Sequence, residues 1–340
     1  MADFVGLDIG STVLKAVQIK EGTLFAFAYA PVPAGITLAT EDEESLVKLS
    51  QAITNLILIG GNFSSQDVVV ALPESQIFTR VILFPQMEEK EIASAVQNEA
   101  QQYIPLPLEQ TTLDYEILGP SEVKSGQIDI LLAAAPKVLT QRYLRVIRRA
   151  GLNPLSLETE TMALSRSVVG DTRKHPVMVA SIGARTTDLS IFSGNTLRFT
   201  HSISTGGEAL IRALSQSLGF EMEQAQEYFK SYGLLEKGSK AEGKVMAAIR
   251  PIFDIIVEEI RRALTFYTTH HKKQVRRVVV VGGVANLPGI VVYLAEALGV
   301  EVERGDPWEA IRIPDVFPRK ELVELAPTFA IAVGLALKEL

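Results

Sequence analysis

The stretch "SIGARTTD", Ser181 to Asp188, repeats in altered form the turn "LDIGST", Leu7 to Thr12. In both, an apolar strand breaks into a glycine turn followed by hydroxyl residues, but the first copy carries Asp8 where the second carries Ser181. The surroundings of the two copies agree as well. Strands are predicted over 4–9, 13–19 and 23–30, and again over 177–182, 187–192 and 196–202, joined by short turns in the same order. A matched order of elements over that length speaks for an internal duplication, even where identity is weak. The chain therefore reads as an α/β protein of two related lobes.

Composition sets outer bounds on this reading. At 340 residues the chain exceeds the size at which one core stops growing, and 47% hydrophobic residues suffice for two cores. A formal net charge of −7 and a pI near 5.4 exclude nucleic acid as the main ligand, because little positive charge is left over to neutralise phosphates along a duplex. With no cysteine there is no disulfide framework and no thiolate metal site. The N-terminus offers neither a basic region nor a cleavage site, so no signal peptide is expected. The most apolar run, 278–294, is interrupted by Gly282, Gly283, Asn286, Pro288 and Gly289, whereas a membrane span needs roughly 20 unbroken apolar residues. A soluble, cytoplasmic protein is expected.

Between the two repeats the pattern changes. Thr40 and Glu43 are placed as a capping box for a helix whose apolar face is Leu46, Leu49, Ile53 and Leu56. Short strands at 68–72, 80–84, 113–118 and 128–134, with helices over about 88–103 and 139–150, then suggest a small α+β module spanning 64–153, inserted into the larger fold. Ile92, Val96, Tyr103 and Ile104 read as the packed face of its first helix. Arg142, Arg145, Arg148 and Arg149 read as a solvated run near a helix C-terminus, where the dipole favours cations. The expected units are a first-lobe core at 1–63, the insert at 64–153 and a first-lobe return at 154–175. A second-lobe core at 176–205, a helical region at 206–275, a further core segment at 276–325 and a closing helix at 326–340 complete the chain. His270 and His271 fall on different faces of a helix and are expected to be exposed.

Three loops carry residues suited to an anion. Asp8 is followed by Gly10, Ser11 and Thr12, whose main-chain N–H groups line a tight bend that only small residues allow a ligand to approach, and Lys15 lies on the next strand. Asp8 could hold Mg²⁺ through water, since that ion keeps most of its hydration and takes one or two carboxylates. An ordinary Gly-Ser hairpin would look the same. The second turn offers Gly183, Ala184, Thr186 and Thr187, and Gly206-Gly207 opens a helix, which is either a third anion-friendly terminus or a flexible helix start. Gly282 and Gly283, with Asn286 beyond, follow a buried-looking strand and would let a flat base lie against the main chain. Glu259 and Arg262, three residues apart on a helix, have the spacing of a surface ion pair.

The ordered set Asp8-Gly10-Ser11-Lys15, Gly183-Thr186-Thr187-Asp188, Gly206-Gly207 and Gly282-Gly283 resembles the actin-like ATPase superfamily, whose fold is a duplicated ribonuclease H-like one. The insert "RVILFPQMEEKEIASAVQNEAQQYIPLPLEQTTLDYEIL", together with "IDILLAAAPKVL", "ETETMALSRS" and "EEIRRALTFY", resembles the PilM family of type IV pilus assembly, whose insert is SHS2-like. The resemblance implies ATP and Mg²⁺ in the cleft, with the first two turns on phosphates and metal, the last on adenosine, and an adenosine-side role for Glu259 and Arg262. It implies as partner the N-terminal cytoplasmic peptide of a PilN-like inner-membrane protein, which would recruit the chain to the inner face of the cytoplasmic membrane. Other pilus assembly proteins, including the assembly ATPase, and a second copy of the chain are further partner options. Hydrolysis in the superfamily needs an acid from each phosphate turn. Ser181 replaces the second acid, and Arg185, replacing a glycine, is either a phosphate clamp or solvated. Asp188 and Glu158 remain as catalytic candidates, and weak or absent ATP turnover is expected. The alternatives are a polymerising, FtsA-like division ATPase and a small-molecule kinase of the same superfamily.

Overall fold

In the computed structural model, which describes residues 3–36, 42–235 and 240–340, the first repeat forms β1 (Val5–Ile9), β2 (Val13–Lys20) and β3 (Thr23–Pro31). Then come α1 (Glu43–Thr54) and β4 (Asp67–Leu72). The next elements are β5 (Phe78–Pro85), α2 (Glu89–Tyr103), β6 (Thr111–Pro120) and β7 (Gln127–Pro136), and after them α3 (Lys137–Arg149), β8 (Asn153–Thr159) and α4 (Glu160–Ser167). The second repeat is β9 (Val177–Ile182), β10 (Thr187–Ser193) and β11 (Thr196–Ile203), followed by α5 (Gly207–Leu218), α6 (Met222–Tyr232) and α7 (Lys240–His271). β12 (Arg277–Val281), α8 (Ile290–Leu298), β13 (Glu301–Arg304) and α9 (Arg319–Ala336) close the chain.

The duplication extends further than the three-strand meanders. One five-stranded sheet runs β3-β2-β1-β4-β8 and the other β11-β10-β9-β12-β13, the same order in both. In each, three antiparallel strands are continued by two that run parallel to the first. Parallel strands covered on both faces should be largely apolar, and the inner ones, β4, β9 and β12, are, whereas β8 and β13 at the sheet edges carry polar residues. Along β9, Met178, Ala180 and Ile182 enter the second-lobe core while Val177 and Val179 point into the core between the lobes. On β4, Val68, Val70 and Leu72 pack under α1 and α3, and Val69 and Ala71 turn to the opposite side. α4 and α9 fill the space between the sheets, with Leu164 and Ala330 against the second and Ala163 and Leu335 against the first. A Cβ added at Gly334 would stand 1.9 Å from the Ala163 carbonyl, so this helix crossing requires glycine.

Several sequence expectations are corrected. The segment over 68–72, assigned to the insert, is β4 and hydrogen-bonds β1 as the fourth strand of the first sheet. α3, also assigned to the insert, buries Leu139, Tyr143, Val146 and Ile147 in the first-lobe core. The separate sheet, β5-β7-β6, therefore lies between these elements, with Ile92, Val96 and Ile104 packed on it as expected. Both misplacements have one cause: the strand and helix flanking the insert carry the same apolar signatures as the elements inside it. Thr40 falls outside the described residues, and α1 is capped by Asp42, whose side chain accepts from Ser45 N at 2.7 Å. Glu43 pairs with Arg145 and Arg149 on α3, so part of the arginine run clamps two helices together. The closing helix begins at Arg319, with Pro327 inside it, not at 326. His271 is half-buried and stacked on Tyr267. Burial lowers its affinity for a proton.

No helix among the described residues is long and apolar enough to cross a membrane.

Candidate functional site

Strand register decides what the two glycine turns present. Asp8 lies directly opposite Lys15 across β1 and β2, and Ser181 lies directly opposite Asp188 across β9 and β10. Residues paired in this way put their side chains on the same face of the sheet, within contact distance. In the first hairpin the opposed pair is an ion pair, Lys15 Nζ standing 2.7 Å from Asp8 Oδ2, with the carboxylate almost fully buried. In the second it is a hydroxyl and an acid. Asp188 Oδ2 accepts from Thr186 Oγ1 at 3.1 Å, while Oδ1 is buried with no hydrogen-bond partner among the described residues. Burial pushes the Asp188 carboxyl above its ordinary range.

A third acid reaches the same place from α4. Thr159 caps that helix, its hydroxyl accepting from Met162 N at 3.1 Å, so Glu160 stands at the first helical position. Glu160 Oε2 accepts from Glu74 N at 3.3 Å. Burial, then the neighbouring charges of Asp188 and Asp8, hold its carboxyl well above the usual range. Glu74, in the turn after β4, is itself buried; it takes Thr161 Oγ1 at 2.9 Å on one oxygen and Thr200 Oγ1 at 3.0 Å on the other, and burial raises its pKa too. Sequence reasoning missed both acids. Within "ETETMALSRS" it selected Glu158, which lies on β8 and gives its carboxylate to Arg166 and to Lys338, the latter at 2.8 Å. The available signal was Thr159: an N-cap places the next residue, not the previous one, at the positive end of the helix.

The remaining candidates divide. Gly183 N donates to Thr186 O at 2.9 Å and closes the second turn. Gly207 N and Glu208 N donate to the carbonyls of Gly183 and Ala184 at 2.9 and 2.8 Å, so these N–H groups of the α5 terminus are already engaged by the turn. A Cβ at Gly206 would come within 2.7 Å of the Gly183 carbonyl, so Gly206 serves close packing against the second turn and Gly207 N is no free anion donor. Gly282 adopts φ +88° with Ile182 O crowding its missing Cβ at 2.5 Å, while Gly283 faces open space, as a flat ligand would need. Asn286 is tied outward, donating to Glu324 O at 2.9 Å and accepting from Arg304 at 3.2 Å. Glu259 and Arg262 form the expected pair at 2.6 Å, with His201 also 3.5 Å from Glu259. Arg185 reaches Glu208 at 3.4 Å on an exposed surface, away from a clamping role.

Asp8, Asp188, Glu160 and Glu74 thus gather where the two sheets face each other, and Lys15 is the ammonium that touches the group. Such a concentration of buried acid is costly without added positive charge. The orphaned Asp188 oxygen suits a donor such as a metal-bound water, and the donor set fits a hydrated divalent cation carrying phosphates. Among the described residues no three His, Cys, Asp or Glu side chains stand close enough to cage a metal directly.

Residues 6–340 match the family described as type IV pilus assembly protein PilM. A chain in the solved PilM–PilN type IV pilus biogenesis complex is 30% identical and superposes with a TM-score of 0.87, covering 99% of this chain and 98% of that one. MreB5 of Spiroplasma citri, solved bound to AMPPNP, shares the fold at a TM-score of 0.53 and 13% identity, over 98% of this chain and 95% of its own. The cell division protein FtsA of Neisseria meningitidis serogroup B is 26% identical over 248 residues, 65% of this chain and 56% of FtsA. This chain therefore spans little more than half the length of that relative.

Proposed function

The chain belongs to the PilM family of type IV pilus assembly proteins, and from that premise we propose that it is an ATP-holding, actin-like adaptor that docks the N-terminal cytoplasmic tail of a PilN-like membrane protein. The observation that carries the nucleotide half is the convergence of two duplicated glycine hairpins and the acids Asp8, Asp188 and Glu160 between two sheets of identical strand order. The partner half rests on likeness to a chain that was solved in complex with PilN.

In this reading the main-chain N–H groups of Gly10, Ser11 and Thr12 face the phosphates from one lobe, and the turn at Gly183 and Ala184 closes from the other. Lys15 orients Asp8 and offsets its charge. Mg²⁺, when bound, would neutralise the phosphate charge, and Asp8 and Asp188 would hold its water shell. Gly283 leaves room for the adenosine. Glu160, whose carboxyl holds a proton more readily than an ordinary acid, is the group suited to orient and deprotonate water. Turnover is slow, because the acid of the second turn stands on the returning strand as Asp188 instead of at 181, and Arg185 is engaged by Glu208. Held nucleotide keeps the lobes closed and presents the insert to the peptide. The peptide places the chain at the inner face of the cytoplasmic membrane.

Binding of a fluorescent ATP analogue with Mg²⁺, lost in Asp8→Ala, is the expected result. An ATPase rate of about 1 s⁻¹ that disappears in the same variant would overturn the slow-turnover part. For the partner, a labelled PilN-type tail peptide should bind in at least one nucleotide state, and failure in all of them would remove that half. An FtsA-like division role is less well supported, since FtsA relatives are 26% and 21% identical, whereas the PilM match runs over 6–340 and a chain of the PilM–PilN complex is 30% identical over 99% of this one.

A further inference from the structure

Glu74 is a buried carboxylate that serves neither glycine turn. An isolated acid in such a place is unfavourable, and it is retained only where its hydrogen bonds are good. Its two oxygens are satisfied by threonines from different lobes: Thr161 on α4 of the first, at 2.9 Å, and Thr200 on β11 of the second, at 3.0 Å. Its own backbone N–H meanwhile holds Glu160 Oε2 at 3.3 Å. One residue thus touches both lobes, and also Glu160.

β11 is held a second time, farther along the same face. Arg198, two residues before Thr200, forms a buried ion pair with Asp129 of β7 and lies 3.6 Å from Glu122. Glu122 is held in turn by Lys273 at 2.8 Å and by Ser193 Oγ at 3.2 Å. The strand that meets Glu74 is therefore tied to the inserted sheet.

We infer that Glu74 is a positioning residue, a latch across the lobes that sets Glu160 only when β11 is docked and thereby couples the insert and cleft closure to the nucleotide site. The role given to Glu160 rests on the proposed nucleotide reading. The latch itself does not.

The chain contains no cysteine, so spin labels introduced through Val47→Cys on α1 and Gln226→Cys on α6 would report the distance between lobes without background. In full-length protein, Glu74→Ala should broaden that distance distribution, and Thr200→Val should do so to a lesser degree. Thr161→Val should leave it unchanged, since both ends of that bond lie in the first lobe. Combining Glu74→Ala with Thr200→Val should be no worse than Glu74→Ala alone, because both remove one contact. Release of a fluorescent ATP analogue should quicken about tenfold in Glu74→Ala, with Glu74→Gln within about twofold of the parent, since the amide keeps a partner for each threonine. In a Glu160→Ala background the Glu74→Ala effect on release should shrink to about twofold or less.

A distance distribution unchanged by both Glu74→Ala and Thr200→Val would overturn the latch, as would additive effects of the two. A Glu74→Ala effect on release that persisted in full without Glu160 would reduce Glu74 to lobe packing and overturn its positioning role. If Glu74→Ala does not fold, Thr200→Val decides alone. Should the parent protein bind no analogue, the nucleotide reading fails and with it the role of Glu160, while the distances still decide the latch.

Discussion

The two hairpins share a backbone and differ in charge. In the first, the acid stands on the leading strand and a lysine on the returning one, so Asp8 and Lys15 neutralise each other at 2.7 Å. In the second, the leading strand carries Ser181 and the returning strand carries Asp188, opposite each other in the same register, with one Asp188 oxygen lacking a hydrogen-bond partner among the described residues. The acid that the second turn lacks at 181 is therefore present one strand over. A sheet register converts a sequence displacement into a lateral shift of about 5 Å, which leaves a carboxylate on the same face. One lobe offers a compensated acid and the other an uncompensated one, and the need for an added cation falls on the second.

The largest effect should come from destroying the compensated pair. Asp8→Ala leaves the Lys15 ammonium little exposed and without its partner, which should cost about 3 kcal/mol in denaturant unfolding and weaken ATP-analogue binding by about 100-fold. If stability and binding both stay near the parent values, the first hairpin is an ordinary turn.

Making the second hairpin more acidic should be next in size. Ser181→Asp places two carboxylates directly opposite each other, and unfolding stability at neutral pH without metal should fall by about 2 kcal/mol. Added Mg²⁺ should restore part of it. A variant as stable as the parent without metal would show that position 181 does not feel Asp188.

A smaller effect is expected from pH. Glu160, Asp188 and Glu74 have pKa values raised in the folded state, so the folded protein holds more protons than the unfolded chain between the ordinary carboxylate value and the raised ones. Their contribution therefore favours folding below that window and declines as pH rises through it. Glu160→Gln should flatten the stability slope above about pH 5 and gain about 1 kcal/mol at neutral pH in urea unfolding without nucleotide. A slope unchanged by the substitution would place Glu160 outside the coupled group. Below the window, acids with lowered values such as Glu122 act in the opposite sense, so the parent–variant difference is the quantity to read.

The smallest effect should be that of Arg185→Ala. Its exposed contact with Glu208 should matter by no more than about 0.5 kcal/mol, and nucleotide affinity should change less than about twofold. A tenfold loss of affinity would restore the phosphate clamp that its outward position argues against.

Local pattern carried the sequence reading where a feature is local. The glycine turns, the strands on either side of them and the apolar face of α2 all follow from neighbours along the chain, and each is found at its expected place. The reading failed where two segments far apart decide a role. β4 looks like any short buried strand until β1 is found beside it. Glu158 and Glu160 have the same side chain two residues apart, and only Arg166 and Lys338 on one, and Asp8 and Asp188 near the other, separate an acid held by cations from one held among acids. Gly206-Gly207 looked like a free helix terminus because nothing in its own segment shows that its N–H groups are taken by Gly183 and Ala184.

By itself the sequence determined the duplicated hairpins and the order of the glycine turns, because each is written in short-range spacing of glycines, acids and apolar residues, and the insert carried the resemblance to the PilM family. The tertiary structure alone decided that Asp188 stands beside Ser181, that Glu160 and not Glu158 joins the acids of the cleft, and that Glu74 spans the two lobes. Strand register and the packing of α4 between the sheets set those neighbours, and the electrostatics of a buried acid depend on neighbours in space rather than in sequence.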